Sequence, residues 1–240
     1  MENLKSFKSD YLLNLTKISF YSFPISLMIG SLFVNLNIII FIVLGTIFCF
    51  CNKIKFRFNF INISLLLFFF IIIISSYINL DNIGIENFLK SILLIKFFLL
   101  FVVLENLGKN ENFELKYFFY ICFFLIIFLS LDLSLQYLYG KNILGFTPHD
   151  GRIAGIFGHE AIAGAYLQKI FIFSLIGMIF FLNLKNKKNS LFLSLALSII
   201  IFGSFVASNR ISFFILITLV LILTFFFKLI KKNLIHAIIL

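Results

Sequence analysis

His149, Asp150, Arg152, His159 and Glu160 gather within a glycine-rich stretch, GKNILGFTPHDGRIAGIFGHEAIAGAYLQ, from Gly140 to Gln168. Six of the 12 glycines fall between Gly140 and Gly164, beside Pro148, one of only two prolines. Imidazole and carboxylate groups move protons near neutral pH. An arginine offers a rigid fork of donors that fits phosphate. Glycine lets the backbone take positive φ and approach a ligand closely. An ordered polar loop of this kind is where a binding or catalytic site is expected; the plainer reading is an ordinary connector. Metal chemistry is not indicated. His159-Glu160-Ala161-Ile162-Ala163 begins like a zinc-protease helix but carries Ala163 where a second histidine is required. No Walker loop or dinucleotide fingerprint follows a strand-like run.

The elements around this stretch are apolar. The chain of 240 residues is 62% hydrophobic, with mean hydropathy +1.12 and 12% charged residues. Soluble domains carry roughly 25% charged residues, so the composition describes an integral membrane protein in one all-α domain over residues 1–240. The net charge of +10 would suit nucleic acid in a soluble chain. In a membrane protein it asks which side the cations occupy, and nucleic acid is not an expected partner. Cys49, Cys51 and Cys122 form no disulfide framework and no four-ligand zinc site. The first apolar run lacks a small-residue cleavage signal and reads as an uncleaved helix.

About 20 apolar residues cross a bilayer. Eight runs qualify: Ile18–Val34, Ile38–Cys51, Phe60–Ile78, Phe88–Leu104, Tyr117–Leu138, Gly164–Leu182, Leu191–Ala207 and Ile211–Phe227. Asn35-Leu36-Asn37 separates the first two. With the N-terminus cytoplasmic, 14 of the 20 Lys and Arg lie in inner segments, three lie in spans, and only Lys141, Arg152 and Arg210 lie outside. That asymmetry makes the glycine-rich loop extracytoplasmic.

Two constellations follow from this topology. Arg152 and Arg210 open onto the outer face, where cations are scarce, and together suit a lipid pyrophosphate. Alternatively, each holds an ordinary lipid headgroup or caps a helix. Lys96 and Asp132 both lie within spans, roughly 10–12 Å below the outer surface at 1.5 Å per residue. Charges at that depth need partners or a wet cavity, so Lys96 is expected to face Asp132. His159 and Glu160 are weak candidate bases; the alternative for Glu160, and the favoured one, is the start of the sixth helix, where a carboxylate suits the dipole.

With these residues identified, the chain resembles the O-antigen ligase and O-antigen polymerase superfamily of bacterial envelope glycosyltransferases. The resemblance rests on Asp132 and Gln136 near a span end, then Gly140 and Gly145. Gly151-Arg152-Ile153-Ala154-Gly155-Ile156-Phe157 follows, with small residues through Gly164, and one span later Ser208-Asn209-Arg210. The order and spacing fit over roughly residues 10–230. The resemblance implies inverting transfer of a glycan from undecaprenyl pyrophosphate, without metal or cofactor, outside the bacterial inner membrane. It gives Arg152 and Arg210 the pyrophosphate; Lys96, Asp132, Gln136, Gly151 and Gly155 are the candidate substrate-binding residues. Family members are longer, with a large outer loop and further spans, so this piece alone is expected to lack transfer activity. Two other classes compete: a transporter or flippase of a lipid-linked or anionic substrate, with Lys96, Asp132 and Arg152 along its path, and a non-catalytic membrane scaffold.

Overall fold

The computed structural model describes residues 2–54, 56, 59–109, 113–149, 151–158, 160, 162–181, 186–207 and 209–226. Among them every regular element is a helix, and the chain divides into two compact units, Met1–Leu115 and Lys116–Leu240.

The first unit holds α1 (Glu2–Tyr21), α2 (Phe23–Ile29), α3 (Ser31–Cys51), α4 (Phe60–Ile78), α5 (Leu80–Leu93) and α6 (Ile95–Leu107). The expected break at Asn35–Asn37 is not there. α3 runs through both asparagines, and the chain breaks at Ser22 and Gly30 instead. Pro24 lies in the first turn of α2, where its missing N–H is harmless, and α1 and α2 meet at a 45° bend. Gly30 has φ 138°, ψ 174°, a conformation reserved for glycine.

Asn37 stays helical because its side chain finds partners across the break. Ser19 Oγ donates to Asn37 Oδ1 at 2.8 Å, and Asn37 Nδ2 donates to Ser22 Oγ at 3.1 Å. Asparagine breaks helices when its side chain competes for local backbone; a satisfied interhelical clasp removes that competition. Phe20 and Phe41 close the apolar contact beside it, with ring centroids 5.5 Å apart.

α3 lies against α6 at Gly45, where a Cβ would collide with Val103. The span expected over Phe88–Leu104 lies within one helical segment, Gly84–Leu107: Leu94, between α5 and α6, keeps helical φ/ψ, and the kink falls before the span at Gly84, with φ 75° and ψ 160°. α4 occupies the expected Phe60–Ile78 and stays almost wholly exposed, Asn62 being its one buried residue. Asn62 Nδ2 donates to Glu105 Oε2 at 2.9 Å, while Asn59 Nδ2 and Lys109 Nζ donate to Oε1 at 2.9 and 3.0 Å. This polar knot ties the start of α4 to the end of α6.

The second unit holds α7 (Lys116–Tyr139), a 3-10 turn (Gly155–Phe157), α8 (Ala163–Phe181), α9 (Lys187–Val206) and α10 (Arg210–Phe226). Its core is aliphatic: Ile126, Leu129, Leu133, Leu167, Ile170, Leu193, Leu197 and Ile200 are all but inaccessible. Small residues set the helix crossings, as they do between helices in lipid. Gly203 of α9 lies against Ser130 of α7, and Gly177 of α8 against Phe119 of α7.

Four helical segments are long and apolar enough to cross a membrane: Ser31–Cys51, Phe60–Ile78, Gly84–Leu107 and Lys116–Tyr139. The bent pair α1–α2 makes a fifth. The apolar parts of α8, α9 and α10 (Ala163–Gly177, Leu191–Val206 and Arg210–Ile222) are shorter. The chain is thus a helical membrane protein, with four or five full-length apolar segments among the described residues.

Candidate functional site

The glycine-rich stretch folds back onto the C-terminal half of α7. Two side chains one helical turn apart receive it, and neither is exposed at all: Asp132 and Gln136, each 0% accessible. Residues i and i+4 share a helix face, so both point to the same segment. Asp132 Oδ1 accepts from the Ile143 N–H at 3.0 Å, and Oδ2 accepts from Asn142 Nδ2 at 3.5 Å. Gln136 Nε2 donates to the Phe146 carbonyl at 3.1 Å, and its Oε1 accepts from the Gly155 N–H at 2.7 Å. Asn142 in turn accepts from the Phe146 N–H at 2.7 Å. In hydrocarbon surroundings an unsatisfied polar group costs several kcal/mol, so this network supplies both the anchor and the satisfaction.

Gly155 closes the fit. Its φ is 60°, and an added Cβ would stand 2.8 Å from Asp132 Oδ2 and 3.1 Å from Leu133 Cδ2. Between Phe146 and Gly155 the chain makes a tight turn. The His149 N–H donates to the Arg152 carbonyl at 3.2 Å, and the Arg152 N–H donates to the His149 carbonyl at 2.8 Å. Gly151, with φ 70°, occupies the third position of that turn. Arg152 and Gly151 are exposed, and Ile153, Ala154 and Gly155 are buried. The chain then passes through the 3-10 turn. Phe157 lies against Tyr166 of α8, with centroids 5.7 Å apart.

Arg210 is the first residue of α10 and is exposed. Asn209 caps that helix: its Oδ1 accepts from the Ser212 N–H at 3.2 Å, the usual N-cap geometry. Gly164, in the first turn of α8, lies against Asn209, a Cβ there falling 2.8 Å from the Asn209 Cβ. The loop leaves the end of α7 and enters α8, and Asn209 joins α9 to α10. Arg152 and Arg210 therefore occupy the same end of the second unit.

The other expected residues are more scattered. Glu160 is exposed, its N–H donating to the Phe157 carbonyl at 3.2 Å. It precedes α8, which starts at Ala163. His159 and Asp150 lie outside the described residues. Lys96, half-buried in the first unit, donates from Nζ to Asn35 Oδ1 at 2.6 Å and lies 5.3 Å from the centroid of the Phe97 ring. Lys96 and Asp132 thus each have a partner within their own unit. Among the described residues no three His, Cys, Asp or Glu side chains gather as metal ligands.

Sequence reasoning passed over Asn142 and named Asn209 only within Ser208-Asn209-Arg210, not as a cap. That role was legible as an asparagine immediately before a long apolar run, a helix-start signal. Nothing local marks Asn142, whose role depends on Asp132 of α7 and Phe146 of the loop. No protein-family model, curated protein or solved structure matches this chain.

Proposed function

We propose that this protein transfers glycans carried on undecaprenyl pyrophosphate, as an O-antigen polymerase or ligase, at the outer face of a bacterial inner membrane. The observation that carries the reading is the pair of exposed guanidinium groups, Arg152 and Arg210, at one end of a single helical unit. One is borne by an anchored loop and the other by a capped helix start. Positive charge fixed before the reaction stabilises charge that develops in the transition state.

In the proposed step an acceptor hydroxyl attacks the anomeric carbon of the donor sugar from the face opposite its pyrophosphate. The new C–O bond forms as the bond to pyrophosphate breaks, and configuration inverts. The electron pair leaves on pyrophosphate oxygen, which the two arginines hold. The hydroxyl proton passes to a base, for which Glu160 and His159 are the candidates.

The test is Arg152→Lys and Arg210→Lys in the full-length protein, assayed for transfer from an undecaprenyl-pyrophosphate oligosaccharide in reconstituted membranes. Losing one fork while keeping its charge is expected to lower the rate about 10²–10³-fold, the scale of one lost transition-state donor. Full activity in both variants removes the reading.

A second reading, a transporter or flippase of an anionic lipid-linked substrate, is favoured by the interrupted helices at Ser22, Gly30 and Gly84. Discontinuous spans are common in secondary transporters. Movement of the lipid between leaflets of proteoliposomes, with no glycan joined, would select it.

A further inference from the structure

Gln136 holds two legs of one loop with a single amide. Phe146, bonded through its carbonyl, lies six residues before Arg152, and Gly155, bonded through its N–H, lies three residues after it. The turn that carries Arg152 is therefore closed at its base by the two ends of one side chain. Gln136 has no accessible surface, and both of its polar atoms are engaged by the loop. Asp132, one turn earlier, fixes the approach to the first leg at Ile143 and Asn142. Gly155 admits no side chain at the second leg.

We infer that Gln136 is a positioning residue that braces the Phe146–Gly155 segment and sets the direction of Arg152, without touching substrate. This departs from the substrate-binding role expected for it from the sequence. A loop pinned at both legs has little backbone freedom left to lose when an anion binds, which is how preorganisation raises affinity. The importance of that direction for pyrophosphate rests on the proposed glycosyl transfer; the brace itself does not.

The brace can be read without activity. In the full chain, with Cys49, Cys51 and Cys122 replaced by alanine, a nitroxide is attached through Thr147→Cys in lipid nanodiscs. Gln136→Met keeps the shape of the side chain and removes both hydrogen bonds. The label is expected to become mobile, and amides of residues 143–158 to exchange at least about tenfold faster, the scale of two lost net hydrogen bonds. Exchange in α7 and α8 should stay unchanged.

Gln136→Glu gives a signature that general loosening would not. A protonated carboxyl can still accept from the Gly155 N–H and donate to the Phe146 carbonyl. Once ionised it has no donor, and a carboxylate oxygen faces the carbonyl. The label in this variant should therefore be as still as in the Gln136 protein at low pH and mobilise as pH rises, a change the Gln136 protein lacks.

A loop as rigid in Gln136→Met as in the parent overturns the inference. So does loss of protection in α7 and α8 together with the loop. Binding of undecaprenyl pyrophosphate, measured on the same samples, separates the two claims. If the loop loosens and binding is unchanged, the brace stands and the pyrophosphate role of Arg152 falls.

Discussion

Gly155 and Ser130 show how differently two buried positions of the second unit should respond to one methyl group. At Gly155 a Cβ meets Asp132 Oδ2 at 2.8 Å, and φ is 60°. Gly155→Ala combines a clash with a conformation that costs a non-glycine residue about 1–3 kcal/mol. Thermal unfolding in detergent should fall accordingly, with loop exchange rising first. Ser130 is the opposite case. Its buried Oγ has no hydrogen-bond partner among the described residues. An unpartnered buried hydroxyl is a liability, so Ser130→Ala should leave stability unchanged or raise it by up to about 1 kcal/mol in the same assay. Asn37 stands between them. Asn37→Leu removes the hydrogen bonds to Ser19 and Ser22, and interhelical bonds in membranes average only about 0.6 kcal/mol. Its main effect is expected in the order of the α1–α2 bend, read by amide exchange, with a small change in global stability.

Among the helices, α4 is lightly held. It buries a single residue, Asn62, and is tied to α6 through Glu105. Asn62→Leu should make α4 the first helix to exchange or be cleaved while α3 and α6 keep their protection; equal loosening of all three would show that apolar contact, and not the polar knot, retains it. The boundaries of α4 and α7 were legible in the sequence to within a residue, because each is an uninterrupted apolar run between polar segments. The start of α3 was not. Asn35 and Asn37 look like a break to any local reading, and their helical state depends on serines that approach from α1 and α2. The kink that precedes the fourth expected run does carry a sequence mark, Gly84, at φ 75°. At the α7–α9 crossing, Gly203→Val should destabilise by about 1–3 kcal/mol, the usual cost of overpacking, because the Ser130 backbone already fills the space.

The molecule as a whole carries apolar helices in both compact units and the glycine-rich loop in the second. Under the proposed orientation, a cysteine at Thr147 should react with a membrane-impermeant maleimide added to intact spheroplasts, and one at Lys53 only after lysis. The reverse pattern would invert the topology and remove an outer-face role for Arg152.

Composition alone determined that this is a helical membrane protein, because so few charges cannot solvate a globular surface and about 20 apolar residues match a bilayer. Glycine spacing and charge also marked the loop from Gly140 as the place to look. Only the tertiary structure decided which helices continue through asparagine. It also decided that Asp132 and Gln136 spend their hydrogen bonds on that loop, and that the starts of α8 and α10 touch at Gly164 and Asn209. Those outcomes depend on partners far apart in the chain: a buried polar atom must be satisfied by whatever packing brings near, and local sequence does not specify its neighbour.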